Sequence, residues 1–211
     1  MLFLCSSLMG REGKVMKGIC SLRIILLITV LMIMAGCDTD EQQKEKTTTP
    51  AEKKIILSAA GIGPINASTP FNIHQITLAF DDYSVTQYTK FQQGEQTPVI
   101  RVSQNGTPLI IINPDTKGDN IFSVIVNSNK IGNALGHELK STYQDIYNYE
   151  NREPCMAGTE ELSGKVLCIA PKTANIIYQF HGQWDGPDGE IPPTEILSEW
   201  VLESIIWKPQ R

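Results

Sequence analysis

Histidine is scarce in this chain, three residues in 211, and that alone limits the metal chemistry open to it. His74, His137 and His181 fall in separate expected elements, so no ligand cluster can be assembled from the sequence. His137-Glu138 begins like a zinc-protease HExxH, but position 141 is Ser, and the second ligand one helical turn on is missing. Nucleophile motifs are absent too: there is no Gly-x-Ser-x-Gly and no Ser-x-x-Lys. Gly61 to Gly63 lacks the third Gly of a dinucleotide fingerprint. Asp185, Asp188 and Glu190 in "WDGPDGEIP" do not follow calcium-loop spacing and read as a turn with exposed acids, a weak cation site being the lesser alternative. Basic residues are outnumbered, 18 Lys/Arg against 23 Asp/Glu, which argues against nucleic acid as a partner because phosphate binding rests on clustered positive charge. No cofactor is indicated.

Long apolar runs are also lacking. The oily stretch from Ile24 to Gly36 has 13 residues, about 20 Å of helix against a hydrocarbon core of roughly 30 Å. What surrounds it fits a secretory signal instead: Lys17 and Arg23 before it, the small pair Ala35-Gly36 at its end. Cys37 follows directly, completing an aliphatic-small-small-Cys lipobox in which Met34 stands where Leu is usual. Residues 1–36 are therefore read as a signal peptide, with Met1 to Val15 as an over-extended start, and Cys37 as the lipidation site. Two or more acyl chains on such a Cys hold durably, at about 0.8 kcal/mol per buried methylene. Asp38, directly after the lipid, is the residue that in enteric bacteria tends to keep a lipoprotein in the inner membrane. It suggests that membrane and leaves the outer one open.

Removing residues 1–36 takes away four basic residues and one acid, leaving 14 Lys/Arg against 22 Asp/Glu, a formal charge of −8. Three of the five Cys remain, and the lipid takes Cys37. Cys155 and Cys168 then face an oxidising compartment without a competitor, so a disulfide between them is the default expectation. Residues 38–54, "DTDEQQKEKTTTPAEKK", contain nothing that could form a core and read with Cys37 as a flexible tether. Residues 55–211 are expected to form a single globular domain.

Within it, Ser68 or Thr69 as N-cap and Pro70 at the first position predict a helix over 70–80, with Ile73, Ile76 and Phe80 at helical spacing. Strands are expected at 99–104 and 109–112, joined by an Asn105-Gly106 turn, and at 121–126, where "IFSVIV" suggests burial on both faces. A second helix through Leu139, Tyr143 and Ile146 precedes strands at 166–170, 176–184 and 200–207. The expected fold is α+β, an antiparallel β-sheet with helices packed on one face. Helix followed by strands, twice, suggests a duplicated helix-plus-strands unit. Trp184, Trp200, Trp207 and Tyr178 gather aromatic area in the last quarter. They read as a core seam or as an exposed platform for a peptide, glycan or partner protein, and form the candidate binding surface.

"IIYQFHGQWDGPDGEIPP" followed by "WVLESIIWKP", together with "GIGPINASTPF", "GDNIFSVIV" and the pair Cys155 and Cys168, resembles the RpoE-regulated lipoprotein family of enteric and related bacteria, a domain of unknown function. The resemblance spans roughly Ala60 to Lys208. It implies an envelope lipoprotein expressed in the response to misfolded outer-membrane proteins, and it carries no catalytic or ligand residues. The expected role is non-catalytic binding or scaffolding at the periplasmic face, with the membrane as one partner through the lipid and an envelope protein or glycan as another. A small-ligand module and a hydrolase with a hidden site are the alternatives.

Overall fold

The computed structural model describes residues 54–92, 94–148 and 154–210. The expected signal peptide, the lipidation site Cys37, and all of the tether except Lys54 lie outside them. All described residues fall in one unit, Glu52–Arg211.

The unit begins with a hairpin too short for any sequence pattern to reveal. Strands β1 (Ile56–Ser58), β2 (Gly61–Ile62) and β3 (Ile65–Asn66) bury Leu57, Ile62 and Ile65 completely. A Cβ on Gly61 would fall 1.9 Å from the Ile65 carbonyl oxygen, so the chain can double back this tightly only with glycine there.

Helix α1 (Ile73–Ala79) starts later than Pro70. Pro70 instead bridges to Asn120, and the Phe71 N–H donates to the Asp119 carbonyl, which draws that stretch onto a neighbouring turn. Asn72 becomes the cap, its side chain accepting from the Gln75 N–H at 3.1 Å.

The long strands follow: β4 (Ser84–Gln92), β5 (Glu95–Gln104), β6 (Thr107–Pro114) and β7 (Ile121–Val126), each antiparallel to the next. Asn105 and Gly106 both take positive φ between β5 and β6, as the turn requires. β7 is not buried on both faces: Ile121, Val124 and Val126 are buried while Phe122 is 53% exposed.

The second expected helix shrinks to α2 (Tyr143–Ile146), because other partners claim the residues before it. Gly132–Asn133 forms β8, parallel to β1. Asn129 clamps Leu139 through both its backbone groups, the Lys140 N–H donates to the Leu202 carbonyl, and Thr142 bridges to Val201. These bonds hold His137 and Glu138 in a loop rather than at a helix start.

Strands β9 (Cys155–Ala157), β10 (Lys165–Ile169), β11 (Ile176–His181) and β12 (Val201–Trp207) complete the sheet, with helix α3 (Thr194–Leu197) just before the last. β9 was not anticipated, and β11 ends at His181 where an extension to Trp184 was expected. Two sheets result: β3-β2-β1-β8, and a larger antiparallel one in the order β4-β5-β6-β7-β12-β11-β10-β9. Among the described residues the fold is therefore mostly antiparallel β with three short α-helices.

One core lies against one face of the large sheet. Ile110, Ile112, Val124, Val166, Leu202 and Trp207 pack with Leu57 and Ile62 of the small sheet and with Ile76, Ile146 and Leu197 of the helices. Side chains alternate along each strand, so every second residue of the large sheet must point the other way. That second face carries the features of functional interest.

A concave apolar groove as candidate functional site

The large sheet curls strongly. Lys90 stands on the edge strand β4, and Glu161 stands in the short turn between β9, the opposite edge strand, and β10. Their Nζ and Oε2 atoms are nonetheless 3.5 Å apart. Curvature on that scale makes the second face concave, and it encloses a groove of about 700 Å³.

The floor is aliphatic. Val99 comes from β5, Ile125 from β7, Ile206 from β12, Ile177 from β11, and Leu167 and Ile169 from β10. Phe122 and Met156 add exposed apolar surface among its lining residues. The Lys208 ammonium sits 4.6 Å from the Phe122 ring centroid.

Several polar residues of the groove have side-chain partners. The Asn113 amide donates to Ser123 Oγ at 3.1 Å, and the Gln179 amide donates to Glu203 at 2.8 Å. Glu203 also receives Lys165. Burial would raise the Glu203 carboxyl, but the bonds from Lys165 and Gln179 and the charges of Lys165 and His181 outweigh it and hold the group below the ordinary carboxylate value. Through this carboxylate Gln179 ties the groove to the Lys165–Glu203 ion pair.

Cys155 and Cys168 form the expected disulfide, directly opposite each other in the β9–β10 pairing. It staples the last edge strand to its neighbour, and Cys155 lines the groove.

The four aromatic residues proposed from sequence as a binding surface do not share one. Tyr178 and Trp207 are fully buried in the core. The Trp207 indole N–H donates to the Ala59 carbonyl at 3.1 Å, and Asn175 reaches the same carbonyl at 2.8 Å, locking the small sheet over the end of β12. Tyr178 Oη accepts from Asn133 Nδ2 and lies 2.9 Å from His137 Nδ1. Burial lowers the pKa of His137 and raises that of Tyr178 to about 12. The hydrogen-bonded trio of Asn133, His137 and Tyr178 ties the loop after β8 to β11, a latch inside the fold rather than an accessible nucleophile.

Trp184 and Trp200 do come together, around a small glycine-lined cavity at the far end of β9–β12. Asp185, Asp188 and Glu190 are exposed there, with Asp188 accepting a hydrogen bond from Ser163. Among the described residues no group of three or more His, Cys, Asp or Glu is placed to hold a metal ion.

Sequence reasoning missed the groove because Leu167, Ile177 and Ile206 look like any core residue of a strand. The available signal was the near-continuous apolarity of "IFSVIV" and "SIIW", which means two apolar faces without saying that one of them is open.

Residues 50–209 match a family described as a protein of unknown function, DUF1131. The chain belongs to the DUF1131 family. Among its relatives is the Escherichia coli (strain K12) "Uncharacterized protein YfeY", 28% identical over 192 residues that cover 89% of this chain and 98% of the relative. A crystal structure of the uncharacterized protein yfeY from Escherichia coli matches with a TM-score of 0.58 and 27% identity, over 74% of this chain and 99% of that one.

Proposed function

We propose that this DUF1131 chain is a bacterial envelope lipoprotein, anchored at the periplasmic face through Cys37, whose globular part is a non-catalytic module binding an acyl chain in the concave groove. The lipobox around Cys37 supports the anchor, and the strand-to-strand disulfide suits an oxidising compartment. The resemblance to the RpoE-regulated lipoproteins supports a place in the envelope stress response, with Asp38 favouring the inner membrane. The antiparallel meanders β4–β7 and β9–β12, each preceded by a helix and joined through β7 and β12, support a duplicated helix-plus-strands unit with its helices on one face.

One observation carries the choice of ligand. The floor is aliphatic over Val99, Ile125, Leu167, Ile169, Ile177 and Ile206, and among its few polar side chains Asn113 donates to Ser123 and Gln179 to Glu203. A peptide laid along the aliphatic part of this floor would bury amide groups against side chains with no hydrogen-bonding atoms, at about 1–3 kcal/mol for each one left unsatisfied. A methylene chain has no such groups and gains about 0.8 kcal/mol per methylene buried. A groove of about 700 Å³ lies in the usual range for a small-molecule site. Displacement of a fluorescent fatty acid by palmitate, measured with the wild-type protein and with Ile206→Glu, tests the proposal. Saturable binding by the wild type that Ile206→Glu abolishes is the expected result, and palmitate failing to compete, or binding equally to both proteins, refutes it.

A further inference from the structure

Among the described residues that line the groove, three carry a charge: Lys90, Glu161 and Lys208. The first two answer each other at 3.5 Å. Lys208 has no carboxylate partner among the described residues, which leaves the lining with one uncompensated positive charge in a chain that is acidic overall. Its ammonium is also open, since Lys208 is only half-buried and its Nζ is not one of the enclosed polar atoms of the fold. Strand register sets where that charge stands. Asn113 pairs with Ser123 across β6 and β7, and the pairing of Ile125 with Ile206 and Val124 with Trp207, carried on by one residue, brings Lys208 beside Ser123. The row next to this one is Ile125, Ile206, Ile177 and Ile169, aliphatic through four strands. A polar row with a cation thus borders an apolar row, and both line the same groove. The Lys208 backbone is pinned at that spot, its N–H donating to the Asn175 carbonyl and its carbonyl accepting from the Asn175 amide.

Resting on the acyl-chain reading above, we infer that the ligand of the groove is a free fatty acid, with its ionised carboxylate at Lys208 and its chain along the isoleucine row. Charge selects the head. A carboxylate brings one negative charge to one unanswered positive charge, whereas a phosphate monoester brings close to two and leaves an excess that nothing in the lining answers. A neutral head leaves the ammonium with no more than water and the Phe122 ring beneath it, and a cationic head is repelled. Hydrogen bonds between an ammonium and a carboxylate are among the strong ones, because both partners are ionised. The tail needs only apolar contact, which the neighbouring row supplies.

Calorimetric titration with laurate, dodecyl phosphate, dodecanol and dodecyltrimethylammonium, each below its micellar range, holds the tail constant and varies the head. Laurate should bind tightest. Lys208→Gln should weaken laurate about tenfold, the scale of a hydrogen bond to a charged group, and leave dodecanol unchanged. Lys208→Arg keeps the charge and should keep the affinity. Lys140→Gln removes the same charge from an exposed residue outside the groove and should have no effect, and an equal loss there would mean bulk charge and overturn the inference. Equal affinities for laurate, dodecanol and the ammonium, all abolished by Ile206→Glu, overturn the carboxylate assignment while the acyl groove stands. Tightest binding of dodecyl phosphate overturns it in favour of a phosphate head. Failure of every chain to bind overturns this inference and the groove reading together.

Discussion

The Tyr178 hydroxyl joins the loop after β8 to β11 through a single buried point, and its partners make the point pH-sensitive. His137 has its pKa held below the ordinary 6.5 by burial. The folded state therefore binds fewer protons than the unfolded one between that depressed value and 6.5, so stability is full above 6.5 and is lost as pH falls through the folded pKa. We predict that thermal midpoints fall between pH 6.5 and pH 5 in the wild type, about the range where His titrates, and that His137→Gln, which keeps an acceptor without titrating, flattens this dependence. Tyr178→Phe should cost about 1 kcal/mol in urea unfolding at neutral pH, the usual worth of a buried hydrogen bond. None of this was legible in the sequence, where His137 stood beside Glu138 as a fragment of a zinc motif. The bond joins residues 41 positions apart, a separation that no local pattern encodes. Gly182 is a similar case. Its Cβ would meet the Trp200 ring at 2.2 Å, and Gly182→Ala should destabilise by about 1–3 kcal/mol through overpacking, measurable by the same unfolding assay.

Among the elements, those whose residues alternate in hydrophobicity were readable and those defined by neighbours were not. β5, β6, β7, β10, β11 and β12 follow from their apolar periodicity and from the Asn105-Gly106 turn. β4 escaped because "SVTQYTKFQ" carries Thr, Gln and Lys on an edge strand that is mostly exposed, so it has little apolar contrast and takes its shape from pairing with β5 along its whole length. The small sheet escaped because strands of two or three residues are shorter than any pattern. Helix α2 was over-read for the opposite reason: Leu139, Tyr143 and Ile146 do face the core, but backbone bonds to β12 and the parallel pairing of β8 win over helical spacing. The disulfide was legible once the expected signal peptide and Cys37 were set aside, because two cysteines then remained. It closes a short loop, and in the chain-entropy model a bridge of this kind contributes about 3 kcal/mol. Calorimetry with and without reductant should show a lower midpoint for the reduced protein, and an unchanged midpoint would mean that β9 contributes nothing to cooperative unfolding.

For the whole molecule the tether and the groove combine into one expectation, that an acyl-binding module is held close to a membrane surface. Cys37→Ser should leave the protein soluble or unprocessed in cell fractionation, and membrane association with normal cleavage would contradict lipid anchoring. On the proposed cleavage before Cys37, a charge of −8 would disfavour close contact of the domain with anionic headgroups and leave the proposed tether to set the approach. Anchored proteins are also crowded in two dimensions, where an open sheet would be a hazard, since each bare edge is a template on which another copy can add a strand. The ion pair between Lys90 and Glu161 bears on that hazard. It brings the β4 edge beside the turn that follows the β9 edge, with charge at the meeting point. The same curvature that opens a trough for a ligand should therefore leave less free edge for a neighbour to join, with Lys90 and Glu161 as the charges that discourage it.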